Sequence, residues 1–122
     1  MRALSRLAGV VVGVALVSCG DPGFTAQVTI VNPHEYDVIV QVGDGESGFL
    51  SLGDVHRGTE ETREHVIDFG ETWVFVFRYP YDDDAEPVEV SLTRAALAAA
   101  DWRVDVPEVW AARLRAAEEP PS

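Results

Sequence analysis

The sequence has no lysine, a single cysteine and none of the motifs that mark common active sites. Each absence removes a class of explanation. One cysteine cannot form an internal disulfide, so a domain of this size must be held by its core. All nine basic residues are arginine, and 21 acidic residues outweigh them to a formal net charge of −12. That balance opposes nucleic acid, whose phosphates must be met by cations, and it opposes polybasic docking to anionic lipid. It leaves two readings, a cationic partner or plain solubility, and solubility is the simpler one. None of Ser47, Ser51, Ser91 and Ser122 stands in a Gly-x-Ser-x-Gly elbow. His34, His56 and His65 lack the His-x-x-x-His spacing of a zinc site, and there is no Cys-x-x-Cys pair. Gly43, Gly45 and Gly48 are close enough to cradle a phosphate, but no lysine follows them, so the stretch reads as a hairpin tip. The motifs therefore name no catalytic residue and no cofactor.

What is present starts at the N-terminus. Arg2 and Arg6 are the only charges in the first 18 residues. Leu7 to Val17 is an eleven-residue run, apolar apart from Gly9 and Gly13. A spanning helix needs about 20 residues, so the run is too short to read as a membrane span. A basic start, a short apolar core and a small residue at Ser18 are the marks of a secretory signal. Leu16-Val17-Ser18-Cys19 then resembles the lipobox of bacterial lipoproteins. The resemblance covers about the first 21 residues. It implies that the Cys19 thiol receives a diacylglyceryl group and that cleavage makes Cys19 the first residue. It also implies that the exported chain is held to the cell membrane on its extracytoplasmic face. On this reading residues 1–18 are a signal peptide and 19–23 a polar tether, where Gly20, Pro22 and Gly23 discourage helix and strand alike. The remaining 104 residues carry seven basic against 21 acidic side chains, or −14, and suit one domain.

From residue 24 to residue 118 the pattern is mostly that of short strands. Phe24–Val31 places Ala26, Val28 and Ile30 on one side. Val38–Val42 is β-branched throughout except at Gln41. With the Asn32-Pro33-His34-Glu35 turn between them, the two read as an antiparallel hairpin. Phe49–Val55 follows. Glu60–Phe69 is read as a strand over a competing helix at Glu60–His65, because Thr62, Val66 and Ile67 favour extended chain. In it His65, Ile67 and Phe69 alternate with Glu64, Val66 and Asp68. Trp73–Tyr79 is the strongest strand. Trp73, Phe75, Phe77 and Tyr79 line one face and Val74 and Val76 the other, which predicts a central strand covered on both sides. Its aromatic stripe is read as core rather than as a glycan platform, with Phe75 among Val28, Ile30 and Val40. Val88–Leu92 is a strand, Thr93 caps a helix to Ala100, and Trp102–Val106 alternates cleanly. Pro107 opens a last helix to residue 118, with Val109, Trp110, Leu114 and Ala117 on its apolar face. Residues 119–122 form a tail.

Six to seven short strands with turns roughly every eight to twelve residues predict a small antiparallel β-sandwich of immunoglobulin-like size, with a short helix near 93–100 and a C-terminal helix near 107–118. The absence of lysine beside abundant alanine, valine, glycine and proline is a codon signature of a GC-rich genome. The strands Trp73–Tyr79, Val88–Leu92 and Trp102–Val106 with the trailing helix are similar to a module in small lipoproteins of GC-rich bacteria. That resemblance implies no activity and no site residues.

One ligand cluster stands out, Asp82-Asp83-Asp84-Ala85-Glu86. Calcium takes about six to eight oxygens, and packed carboxylates offer them. Yet adjacent residues of an extended chain point to opposite sides, and the spacing of a helix-loop-helix calcium site is missing. A solvated hairpin tip is the expectation for Asp82, Asp83, Asp84 and Glu86. For function the sequence predicts a membrane-anchored binding or accessory module with a protein or other envelope partner. The competing expectation is an envelope enzyme or metal-dependent hydrolase. An apolar surface beside the Trp110 helix favours the first, and a pocket gathering His34 or His65 with carboxylates favours the second.

Overall fold

In a computed structural model of the chain, residues 25–118 are described. The signal segment 1–18, Cys19, the tether and the tail 119–122 lie outside the described residues. The elements in order are β1 (Thr25–Asn32), β2 (Val38–Gly43), β3 (Phe49–Val55), β4 (Thr59–Ile67), β5 (Thr72–Arg78), β6 (Val88–Thr93), α1 (Arg94–Ala99), β7 (Arg103–Asp105) and α2 (Glu108–Glu118). The fold is a mainly-β sandwich of seven strands. One sheet has the order β4-β1-β7 and the other β3-β2-β5-β6. Pairing is antiparallel except between β1 and β7, which run parallel.

The inward faces of the two sheets meet as the alternating pattern requires. Val28 and Ile30 of β1, Val38, Val40 and Val42 of β2, and Trp73, Phe75 and Phe77 of β5 belong to one buried cluster. Phe75 is fully buried, in the same cluster as Val28, Ile30 and Val40. β5 is paired on both edges, and Val74 and Val76 on its outer face are buried as well. There Arg78 Nε donates to Gln41 Oε1 of the neighbouring strand at 2.8 Å, and the hairpin-tip Gly45 comes close over Val74.

Three expectations change. β1 and β2 do not form a hairpin; they lie in different sheets. The link between them is a corner tied by Asn32, whose buried amide donates to the Tyr36 and Val55 carbonyls at 2.8 and 3.1 Å and accepts from His34 N at 3.1 Å. In β4 the simple alternation fails. Between Ala26↔Val66 and Val28↔Arg63 the register slips, because Glu64 and His65 together oppose Gln27. This is a bulge, with His65 in the left-handed region at φ 63°. Val66 then points inward, and His65 and Ile67 are exposed. On α2 the buried stripe is Trp110, Ala111 and Leu114, while Val109 and Ala117 are exposed. Residues 110, 111 and 114 fall on one side of a 3.6-residue turn; Val109 is a further 100° or so around.

The Thr93 hydroxyl accepts from Ala96 N at 3.0 Å and starts α1. Asp101 and Trp102 follow it with φ of 57° and 60°. This left-handed turn sets Trp102 edge-on against Trp73 at 5.2 Å and gives its carbonyl to Thr29 N at 2.9 Å, which begins the parallel ladder. The sandwich thus has two ends. The near end holds the start of β1, the β2–β3 tip, the β4–β5 link and the start of α1. The far end holds the β1–β2 corner, the β3–β4 turn, the β5–β6 loop and α2.

Candidate functional site: a groove between an acidic loop and the C-terminal helix

α2 is fixed to the far end by its sequence. Glu108 sits in its first turn and Arg115 in its last, each on the side the helix dipole favours. Arg115 Nη1 donates to both carboxylate oxygens of Glu35, at 2.9 and 3.0 Å, and Arg115 also pairs with Glu108. Glu35 is held below the usual carboxylate range by its own backbone amide and by Arg115. His34 Nε2 donates to the Val106 carbonyl at 2.7 Å, and its Nδ1 lies 3.6 Å from Glu108 Oε1. Below the helix runs a chain of edge-to-face aromatic contacts, Trp110 to Tyr36 at 6.3 Å, Tyr36 to Tyr79 at 5.9 Å and Tyr79 to Tyr81 at 5.4 Å. Such pairs hold ring geometry more firmly than burial alone. Burial and then a hydrogen bond to Glu118 push the Tyr36 hydroxyl above its usual pKa.

Between α2 and the β5–β6 loop these contacts leave a groove of about 500 Å³. Tyr79, Ala85, Trp110, Leu114 and Ala117 give it an apolar lining, to which the loop adds Asp82, Asp84 and Glu86 and α2 adds Arg113 and Glu118. Four carboxylates against one guanidinium make it a concave, acidic site. Trp, Tyr and Arg are also the residue types that carry most of the energy at protein interfaces.

The acidic cluster is split. Asp82 shapes its own turn, its carboxylate accepting from Asp84 N at 2.9 Å and its carbonyl from Ala85 N at 3.1 Å. Asp84 and Glu86 line the groove, Asp83 lines a neighbouring depression with Ile39 and Arg78, and Asp82 lines both. Among the described residues no three His, Cys, Asp or Glu side chains come together as a metal ion requires. The histidines are dispersed too. His34 is engaged with the Val106 carbonyl, and His65 lines a shallow depression with one carboxylate, Glu64. His56 Nδ1 lies 3.1 Å from Asp37 Oδ1. Asp37 is nearly buried. It accepts from Tyr81 Oη at 2.7 Å and from Arg57 N at 2.9 Å, and these hold its carboxyl below the usual range. The glycine-rich tip is satisfied from within, since the Asp44 carboxylate accepts from Glu46 N, Ser47 N and Ser47 Oγ.

Sequence reasoning found the acidic loop and Trp110 but not the groove that joins them. Residues 79–86 and 110–118 are far apart in the chain, and no spacing rule connects them. Asp37 carried no signal either, because its partners Arg57 and Tyr81 come from two other loops. Compared with protein-family models, curated proteins and solved structures, the chain gives no significant match.

Proposed function

We propose that the chain is an exported lipoprotein, anchored through a diacylglyceryl group on Cys19, whose folded domain is a binding or accessory module on the extracytoplasmic face of the membrane. The groove between the β5–β6 loop and α2 carries the second half of this reading. Its apolar lining and acidic side chains suit a cationic segment with an apolar anchor, such as a basic stretch of an envelope protein. It lies at the end of the sandwich opposite the start of β1, so a tether at residue 24 presents it outward. The anchor half is supported by Leu16-Val17-Ser18-Cys19 and the apolar run before it.

Two measurements on the full chain in a bacterial host test the halves separately. Radiolabelled palmitate is expected in the parent and not in Cys19→Ala; equal label in both overturns the anchor. A photo-reactive residue at the exposed position 117 is expected to give a discrete protein adduct in intact envelopes, weakened by high salt, whereas one at position 98 on α1 gives none. The same adduct pattern at both positions, or none at 117, overturns the groove.

A further inference from the structure

Of the five large apolar side chains exposed among the described residues, three gather at the near end. Phe49 (44% exposed) and Leu50 (41%) open β3, and Ile67 (48%) closes β4. β3 and β4 are edge strands of different sheets, so these residues sit at the open end of the seam between the sheets. With Phe69 they line a cleft of about 410 Å³. The Phe49 ring is seated on Gly43, where an added Cβ would come within 2.9 Å of it. Contiguous apolar surface of this kind marks a contact that the domain itself does not supply.

The chain's own connectivity says what that contact is. Thr25 is the direct ladder partner of Ile67. Six peptide steps separate Cys19 from Thr25, a reach of at most about 20 Å. A lipid on Cys19 would keep this end of the domain within that reach of the bilayer, with the far end directed away.

We propose that the cleft docks onto the bilayer that carries the anchor, with Phe49, Leu50 and Ile67 entering the boundary between headgroups and acyl chains. This rests on the lipid-anchor reading above. Both acids at the cleft are already engaged inside the protein. Asp44 takes three hydrogen bonds from its own loop, and Asp68 pairs with Arg94 and accepts from Gly70 N at 2.8 Å. The rest of the chain is strongly negative, so the contact is apolar and suits zwitterionic rather than anionic lipid. The tether makes docking intramolecular, so a weak apolar contact suffices. Docked this way, the domain has one orientation, with the α2 groove facing away from the membrane.

The test uses the full lipidated chain in phosphatidylcholine vesicles, with a nitroxide attached through Phe49→Cys, Ile67→Cys or, at the far end, Val109→Cys. All three positions are exposed, and unchanged melting checks the fold. The expected result is palmitate label, flotation with the vesicles, and a ratio of oxygen to water-soluble relaxant collisions several-fold higher at 49 and 67 than at 109. Equal ratios at all three sites, with label and flotation intact, overturn the docking and leave the anchor standing. No label and no flotation overturn both.

Discussion

Arg63 on β4 donates from Nε to the carbonyl oxygen of Leu52 on β3 at 2.6 Å, although the two strands belong to different sheets. The carbonyl is free because β3 bulges there. Val40 pairs with Gly53 and Gln41 with Ser51, which leaves Leu52 as the extra residue. Gly53 takes φ 91°, which favours glycine, and an added Cβ would lie 3.2 Å from Arg63 Nη2 and crowd the guanidinium. The bulge lets Leu52 and Val55 both face the core. Arg63 thereby closes the seam between the sheets along its middle, and the apolar cleft is what stays open beyond it.

The core reading of the aromatic stripe gives the first prediction. Phe75 is fully buried on a strand paired on both edges. Phe75→Ala is expected to destabilise the fold by about 3–5 kcal/mol. Against a typical total of about 5–15 kcal/mol, the variant unfolds partly or aggregates. Denaturant unfolding checks this, and an unchanged midpoint counts against a core position.

Asn32 gives the second. Its amide donates to both the Tyr36 and the Val55 carbonyls from a fully buried position. Asn32→Leu keeps the branched shape of the side chain, with somewhat larger groups, and removes the donors. Each buried carbonyl left unpaired costs about 1–3 kcal/mol. The variant should lose stability despite its greater hydrophobicity, read as a lower unfolding midpoint; a raised midpoint contradicts this account of the corner.

The strands were legible in the sequence because burial on one face writes a period of two into the residues. That held for Val38–Val40–Val42 and for Trp73–Phe75–Phe77, and the helix after Pro107 was equally plain. Sheet membership was not legible. Asn32-Pro33-His34-Glu35 carries the same turn chemistry whether the chain returns along its neighbour or crosses to the other sheet, and the contacts that distinguish the two, such as Asn32 to the Val55 carbonyl, are distant in the chain. Bulges were hidden for a related reason. A bulge shifts the period by one residue, so β4 read as a clean alternation with His65 and Ile67 on the wrong footing. On α2 Val109 lies at one edge of the apolar sector and Ala111 at the other, and tertiary packing decides which edge is buried. The groove was illegible because its two walls, far apart in the chain, meet through tertiary contacts such as those of Tyr36, Tyr79 and Trp110.

His65 supplies the third prediction. It sits in a strand, where glycine normally weakens structure and valine strengthens it. At φ 63° the order reverses. Histidine tolerates this region better than most residues, but a β-branched side chain does not. His65→Val is therefore expected to cost about 1–2 kcal/mol, the usual penalty of the left-handed region. His65→Gly should stay within about 0.5 kcal/mol of the parent, strain relief offsetting the flexibility glycine adds to the unfolded chain. Paired unfolding curves decide, and a more stable valine variant rules out the bulge.

The last prediction concerns pH and turns on Tyr81 and Asp37. The Tyr81 hydroxyl, followed by the Arg57 amide, holds the Asp37 carboxyl below its ordinary value of 3.8. The same bond pushes Tyr81 above its ordinary value of 10.0. For Asp37 the unfolded chain takes up the proton first on acidification. Its contribution to stability is complete above pH 3.8 and is lost as pH falls through the lower, folded value. For Tyr81 the unfolded chain loses its proton first. That contribution is complete below pH 10.0 and is lost as pH rises through the higher, folded value. Tyr81→Phe removes the shared bond and keeps the ring against Tyr79. The stability gap between parent and variant is then flat across neutral pH and narrows at both edges. Glu35 and Asp68 also have lowered values, held mainly by their own backbone amide and by Arg94 respectively, and they are common to both proteins, so they cancel in the difference. Unfolding midpoints of the two proteins, followed from neutral pH into acid, check the first edge. A gap that stays constant below pH 3.8 means that the hydroxyl does not hold Asp37 in its charged form.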